Sequence, residues 1–341
     1  MPARMKDIAE DLGVSLMTVS KALRNHTDIS QATRNRVLAR ARELDYQPNW
    51  IARSLVTRRT YAVGLVIPDL MHSFFAEVAK GVARKIDPLG YQIVISNSEE
   101  DGDTEDRQLE LLAARKVDGL IVAPASSRSG SRMLGTLRAR NLPCVLIDRT
   151  LPGLEANFVG SRDDEIGRMA TEHLWEQGCR RIAHIRGTGA ANSVGRLRGY
   201  RRALAKLRLE VPKEYVVTGA PHDEDGYQAM RRLLALADRP DGVYCYNDPV
   251  AAGAIQAVLE AGLRVPEDVA IVGTGNVHYS DLLRVPLTSV DQGSARIGEE
   301  AGDLLVKCML AKTPLKPRHI LVPVRLVVRE SSRRTRAAVG G

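Results

Sequence analysis

Ser15-Leu16-Met17-Thr18-Val19-Ser20-Lys21 carries a chemistry that depends on its order. Ser15 follows Gly13-Val14 and has a side-chain oxygen able to cap a helix start. Beyond it Val19 and Leu23, four apart, share one helical face, which leaves Leu16, Met17, Ser20 and Lys21 on the other. The Lys21 ammonium can donate to the O6 and N7 acceptors of guanine, whereas Leu16 and Met17 can offer only apolar surface, as to a thymine methyl. Thr18, Arg24 and Arg34 are suited to phosphates, contacts that position a protein without reading sequence. The chemistry is recognition of duplex DNA from the major groove, and Ser15, Tyr46 and Asn49 complete the DNA-facing set.

The surrounding residues predict the elements that hold this face. Ile8, Ala9 and Leu12 form an apolar stripe on a first helix, and Gly13 can take the positive φ that ends it. Ala9, Gly13 and Val19 are the small residue, turn and aliphatic residue that let two helices cross closely. Ser30 caps a third helix with Val37, Leu38, Ala41 and Leu44 inward. Residues 1–48 are thus predicted to be an all-α helix-turn-helix domain. Residues 49–60 are a separate short segment, too short to persist as an isolated helix.

Charge and length constrain the rest. Residues 1–60 carry 11 Lys/Arg and 6 Asp/Glu, residues 329–341 carry 4 and 1, and the stretch between holds 34 of each, so the excess of +8 sits at the two ends. A basic head on a neutral body assigns phosphate binding to the head. The basic tail 331–341 is expected to be disordered. The 341 residues exceed one ordinary domain. No apolar run reaches the roughly 18 residues of a membrane span, and MPARMKDIAEDLG lacks the apolar core of a signal peptide, so a cytoplasmic protein with no membrane partner is expected. Cys144, Cys179, Cys245 and Cys308 lie far apart with no metal-ligand spacing; Cys144 and Cys245, inside apolar runs, are expected to be buried.

From Tyr61 apolar strand-like runs alternate with helical stretches: 61–68, 91–97, 118–124 and 143–148, then 180–187, 214–219, 242–248 and 268–275. This is the βαβ pattern of parallel sheets, and two series imply two doubly wound lobes. RHILVPVRLVVRE could return to one or both sheets. Ligands of such sheets bind beyond the carboxyl ends of strands, which here are Asp69 to Phe75, Ser96 to Ser98, Ala125 to Ser127, Asp148-Arg149, Gly187 to Arg196, Asn247-Asp248 and Thr274 to Asn276.

Catalysis is not indicated. In GTGAANSVG the third glycine of a dinucleotide-binding loop is replaced by Asn192, and neither a Walker lysine nor HExxH nor GxSxG occurs. His184 lies in a strand and reads as a core residue; His72 and His278 sit in cleft-side loops but face no nucleophile. No cofactor or metal is expected.

The runs KDIAEDLGVSLMTVSKAL, SQATRNRVLARARELDYQPN and IARSL resemble the DNA-binding head of the lactose-repressor (LacI/GalR) family, and the resemblance extends to about residue 330. It implies that the second helix reads DNA and that residues 49–56 form a hinge helix only on operator DNA. There Leu55 would wedge into the minor groove, flanked by Ala52 and Arg53; such a wedge exchanges unstacking energy for bent DNA. It further implies a two-lobed periplasmic-binding-protein-like (type I) body over 61–330, the N-lobe about 61–161 plus 292–322 and the C-lobe about 162–291 plus 323–330. A small effector would lie between the lobes, on Phe74, Phe75, Asp148, Arg196, Asn247, Asp248, Asn276 and Gln292. Arg196, in GRLRGY, maps most firmly, as a donor fork to a ligand oxygen.

Two positions depart from the family pattern. Gly273-Thr274-Gly275-Asn276 lacks a frequent hydroxyl-binding carboxylate, and Ser161-Arg162 replaces Asp-Asn. With Arg149 and Arg196 these changes predict a less acidic cleft and an effector such as a sugar acid or phosphorylated sugar rather than a plain sugar. The expected protein is a ligand-responsive repressor that binds a pseudo-palindromic operator as a homodimer, since no leucine heptad follows Glu330. The alternatives are a receptor-like sugar-binding protein without a DNA role and a regulator co-repressed by a nucleobase-type ligand.

Overall fold

Side-chain caps and one left-handed glycine set the helices of the head. In the computed structural model, which describes residues 3–47, 54, 57, 59–125, 135–137, 139–219, 221–313 and 315–334, the chain divides after Thr60 into two units. The first contains α1 (Met5–Leu12), α2 (Leu16–Leu23) and α3 (Gln31–Glu43). Gly13 ends α1 at φ 62°, a conformation that costs glycine nothing. The Ser15 and Ser30 hydroxyls accept the N–H groups of Thr18 (3.0 Å) and Thr33 (3.2 Å) and so start α2 and α3. Ile8, Ala9, Val19, Ala22, Val37 and Ala41 form the buried centre. Leu38, expected inward, is half-buried and outside that cluster. Val37, Ala41 and Leu44 fall at i, i+4 and i+7, which turns Leu38 about 100° from their stripe.

The body is built on two six-stranded sheets. Its N-lobe sheet contains β1 (Ala62–Ile67), β2 (Gln92–Asn97), β3 (Gly119–Val122), β4 (Cys144–Ile147), β5 (Asn157–Ser161) and the late strand β11 (His319–Val322), in the order β11-β5-β4-β3-β1-β2, all parallel. Helix α4 (Ser73–Ile86) follows β1 and α5 (Gly102–Ala114) follows β2. After α6 (Asp163–Glu176) the C-lobe sheet takes β6 (Ile182–Arg186), β7 (Val216–Thr218), β8 (Gly242–Cys245), β9 (Ala270–Thr274), β10 (Thr288–Asp291) and β12 (Arg325–Val327), ordered β12-β10-β9-β8-β6-β7. The helices interleaved with them are α7 (Ala191–Leu207), α8 (Asp223–Leu234) and α9 (Asp248–Glu260). The chain returns through α10 (Ser294–Leu310) to the N-lobe, where α10 packs on α4. There Gly81 faces Gly298: a Cβ on either would run into a backbone oxygen of the other helix, of Ala295 or Val78.

The chain crosses between lobes at Arg162, at Gln292-Gly293 and at Pro323-Val324, because RHILVPVRLVVRE divides between the two sheets. Three features depart from the sequence pattern. NFVGS and TSVD form β5 and β10 although each is short and interrupted by polar residues. β12 pairs antiparallel with β10, Ser289 opposite Val327. The tail is ordered through Arg334 rather than disordered from 331. Ser331 Oγ donates to Ile271 O (2.7 Å) and accepts the Thr288 N–H (2.8 Å), Ser332 Oγ donates to Thr288 Oγ1 (2.7 Å), and Arg334 donates to Asp241 O (2.6 Å) and Pro266 O (2.9 Å). Short hydroxyl side chains here satisfy buried backbone groups; residues 335–341 lie outside the described residues. No helix among the described residues is long and apolar enough to cross a membrane.

Candidate functional site

The head presents the face that its sequence predicts. Leu16 and Met17 are 50 % and 62 % exposed while Val19 is fully buried. Thr18 bonds Ser15 hydroxyl to hydroxyl (2.9 Å), and Arg24 folds back on Ser20, donating to its carbonyl (3.1 Å) and hydroxyl (3.0 Å). Lys21 is ion-paired with Asp28, whose carboxyl it holds below the usual range. The Arg34 guanidinium donates to His26 O (2.6 Å) and Gln31 Oε1 (2.9 Å), so it also fastens the turn before α3. Tyr46 is half-buried and packs on the head's core, a structural position that the sequence reading did not separate from the DNA-facing set. Asn49, Ala52, Arg53 and Leu55 lie outside the described residues.

The second site lies between the lobes, where strand ends of both sheets converge. The turn after β1 supplies Asp69, His72, Phe74 and Phe75; the turn after β2 supplies Glu100; the end of β4 supplies Asp148 and Arg149. From the C-lobe come Asn192 and Arg196 at the start of α7, Tyr246 and Asn247 after β8, and Thr274 at the end of β9, with Gln292 on the crossing segment. Two non-glycine residues of this wall have left-handed backbones, Asp148 at φ 59° and Glu100 at φ 54°. Conformations of this kind cost energy and collect at ligand sites. The free space is about 30 Å³, room for about one water, because the chain's own side chains fill the cleft.

Those side chains neutralise one another. Arg149, buried, forks onto both Glu100 oxygens at 2.7 Å, donates to Pro124 O (3.1 Å) and lies 3.5 Å from Asp148. Burial works against its charge, but Tyr246, Glu100 and Asp148 raise its pKa on balance. Arg196 donates to Gln292 Oε1 (2.6 Å), Tyr246 O (2.7 Å) and Asp163 Oδ1 (3.1 Å), and its guanidinium sits 4.8 Å from the centre of the Tyr246 ring. Three of its five N–H groups are thus used inside the protein, and the expected fork to a ligand is largely spent on the lobe crossing. Burial pushes Asp163 up to about 6 even against the pull of Arg196. Burial, with Arg196 and Arg149 nearby, pushes His72 down to about 4 and keeps the ring neutral.

The lobes touch through these residues. Asn192 Nδ2 donates to Asp148 Oδ2 at 2.9 Å, Asn247 Nδ2 lies 3.3 Å from His72 Nε2, and His222 Nδ1 lies 3.7 Å from Asp69. The Asn247 amide is oriented by Val250 N–H on its oxygen (2.9 Å) and Pro221 O on its nitrogen (2.9 Å).

Of the residues expected to hold an effector, Phe74, Phe75, Asp148, Arg149, Arg196, Asn247 and Gln292 line this cavity, with both phenylalanines also in the N-lobe core. Asp248 and Asn276 do not. Asp248 is buried behind the wall, accepting Val277 N–H (3.0 Å), Ser280 Oγ (2.7 Å) and Ser289 Oγ (2.6 Å), and burial raises its pKa. Asn276 accepts from Arg329 (2.8 Å) and takes Ser289 Oγ on its N–H (2.9 Å). Arg162 is exposed and off the wall. The expected loss of acidity does not occur, because Asp69, in a segment expected at the cleft, and Glu100, just beyond the segment expected after β2, both bring carboxylates to the wall. Glu100 sits in a run of polar residues whose turn geometry has no sequence signature, and Tyr246 lies inside an apolar run that reads as strand. Asn192 belongs to a segment already expected at the cleft. His184 is a core residue, stacked on Tyr244 with centroids 4.5 Å apart. Cys245 is buried; Cys144, at the first position of β4, is half-buried as a residue, but it packs on the core and burial pushes its thiol up to about 12. Among the described residues no group of side chains could hold a metal.

The profile described as bacterial regulatory proteins, lacI family, matches residues 4–49, and that of the periplasmic binding protein-like domain matches residues 171–332. The chain is 34 % identical over 331 residues to the HTH-type transcriptional repressor PurR of Mannheimia succiniciproducens, covering 96 % of this chain and 98 % of that one. It superposes on the lac repressor dimer bound to operator and the anti-inducer ONPF with a TM-score of 0.83 at 25 % identity, over 97 % of this chain and 99 % of that one. With the transcriptional regulator CelR–cellobiose complex the TM-score is 0.73 at 31 % identity, over 96 % and 99 %. A helix-turn-helix head with α2 facing outward, joined in sequence to a two-lobed α/β body, is thus accompanied by whole-length similarity to repressors rather than enzymes, and the chain belongs to the lacI family of bacterial regulatory proteins.

Proposed function

We propose that this chain is a ligand-responsive repressor whose dimer holds a pseudo-palindromic operator, one head on each half-site. A small effector in the interlobe cleft changes operator affinity through residues 49–56. The observation that carries the reading is the Asn192–Asp148 bond across the cleft. A ligand taking over those polar groups favours one setting of the lobes, and only such a difference in affinity between two states can drive a switch.

The chemistry of the wall favours a neutral polyhydroxylated effector over the anion expected from sequence. Arg149 and Arg196 are each matched by a carboxylate, Glu100 and Asp163, and Asp69 and Asp148 remain. An anion would have to displace an existing charge pair, whereas hydroxyl groups can accept from Asn192 and donate to Asp148. One structural neighbour is described as a cellobiose complex, in keeping with a carbohydrate. Phe74, Phe75 and Tyr246 also offer aromatic surface, so a nucleobase-type co-repressor is the second reading. Calorimetric titration with neutral sugars, sugar acids, sugar phosphates and purines tests this. Heat of binding from neutral sugars alone supports the first reading; tight binding of sugar acids or phosphates alone overturns it, and purines alone select the second.

A further inference from the structure

The reading face contains one acidic element that the recognition chemistry described above does not use. Asp28 is half exposed, and its Oδ2 pairs with Lys21 Nζ at 2.5 Å, seven residues back along the chain. The turn that carries it is fastened on both sides. His26 N–H donates to Lys21 O (3.1 Å), Ile29 N–H donates to His26 O (3.4 Å), and the Arg34 guanidinium clasps the carbonyls of His26 (2.6 Å) and Ile29 (3.4 Å). His26 Nδ1 is 3.8 Å from the other Asp28 oxygen. Among the cations of this face, Arg24 is engaged by a neutral hydroxyl and carbonyl and Arg34 by neutral carbonyls and an amide, while Lys21 is matched by a full negative charge.

From this geometry we infer that Asp28 is a specificity-determining residue, which positions Lys21 for a base edge and withholds its charge from the phosphates. The inference rests on α2 being the reading helix. A free lysine is a mobile cation attracted equally to every phosphate, which adds affinity without sequence information. Pinned beside Asp28, the ammonium has a fixed direction and still has N–H groups left, because it carries three donors. A guanine placed in line with them gains a contact, while a duplex bound in any other register meets an ion pair of no net charge and an exposed carboxylate that repels phosphate. Asp28 therefore weakens the wrong complexes more than the right one, which is how specificity arises from a difference of affinities.

The test uses full-length protein and two duplexes: one enriched from a random library by the wild-type protein, and one of the same composition with its order shuffled. Binding is measured over a range of salt for the wild type and for D28N, K21A and K21A/D28N. D28N should tighten binding to the shuffled duplex by about three- to tenfold at low salt and steepen its log Kd against log salt slope by about 1, the signature of one added phosphate contact. It should lower the enriched-to-shuffled ratio by a similar factor, and most of this effect should vanish in the K21A background. Melting temperature controls for folding, since Asp28 lies outside the head's core. Unchanged ratio and slope in D28N, or the same change with and without Lys21, would overturn the proposal. A ratio unaffected by K21A would instead remove Lys21 from base reading, and with it the role of Asp28.

Discussion

Asn192, at the start of α7 in the C-lobe, donates to the carboxylate of Asp148, at the end of β4 in the N-lobe, across 2.9 Å. Asp148 is held for this by a left-handed backbone, with the Arg149 N–H closing a three-residue turn on Ile147 O (2.5 Å). The bond is buried, yet it joins the two halves that a ligand would have to set. Asn192→Ala removes the bond to Asp148 and also the bonds its amide oxygen accepts from Tyr246 Oη and Ser193 N–H, and should cost about 3 kcal/mol of stability, as for three hydrogen bonds, measured by urea unfolding. The same variant should lose most of the operator response to whichever compound raises the wild-type melting temperature. An undiminished response would remove this bond from the switch.

The Arg149–Glu100 fork predicts an asymmetry between single and double variants. Glu100→Gln leaves a buried guanidinium short of its counter-charge and should destabilise by about 2–3 kcal/mol, whereas pairing Glu100→Gln with Arg149→Met should recover at least half of that loss. Chemical denaturation of the three proteins measures the difference; a double variant less stable than Glu100→Gln would contradict the account.

Acid should loosen the body for an identifiable reason. His72 and His173 are depressed to about 4 and His184 to about 3, by burial in each case; His72 also faces Arg196, Arg149 and His222. The unfolded rings take up protons near pH 6.5 while the folded ones do not, so stability is unaffected above that pH and falls as pH drops toward 4. Each ring contributes a loss of about 2 kcal/mol between pH 7 and pH 5. Asp163, raised from 3.8 to about 6, acts in the opposite sense: its cost to stability builds up as pH rises between those values, so going from pH 7 to pH 5 relieves about 1 kcal/mol of it, less than one ring contributes. The urea midpoint should therefore fall from pH 7 to pH 5, and by less in His72→Gln. A midpoint that rises, or a variant as acid-sensitive as the wild type, would count against burial as the cause.

Leu16 and Met17 predict a contact that DNA chemistry can isolate. Both are exposed on α2 with no polar atom suited to a base edge. Replacing thymine by uracil in an enriched operator removes only methyl groups and should cost about 0.5–1 kcal/mol at each contacted position. The loss should disappear in Leu16→Ser or Met17→Ser protein. No loss at any thymine would exclude an apolar readout by this pair.

The sequence pattern located most of this architecture because its strongest signals are local. Ser15 and Ser30 cap where hydroxyls before apolar stripes should cap, and Gly13 takes the left-handed turn. The long aliphatic runs became strands because burial on both faces demands them. What sequence hid depends on long-range partners. β5 and β10 are strands because neighbours pair with them, not because NFVGS or TSVD favours extension. Asp248 sits at a strand's carboxyl end, where a ligand would be expected, yet hydroxyls of Ser280 and Ser289 draw it inward. Glu100 reached the cleft through a left-handed turn that its sequence does not advertise, and there it matches the charge of Arg149.

The central claim, that the cleft controls the head, is tested most directly by titrating full-length protein onto a fluorescent operator duplex with and without a saturating cleft ligand identified by thermal shift. The account predicts that the ligand changes operator Kd by about 5- to 150-fold, the usual range of allosteric coupling, and that the operator reciprocally changes ligand affinity by the same factor. A ligand that binds the body while leaving operator Kd unchanged would contradict it.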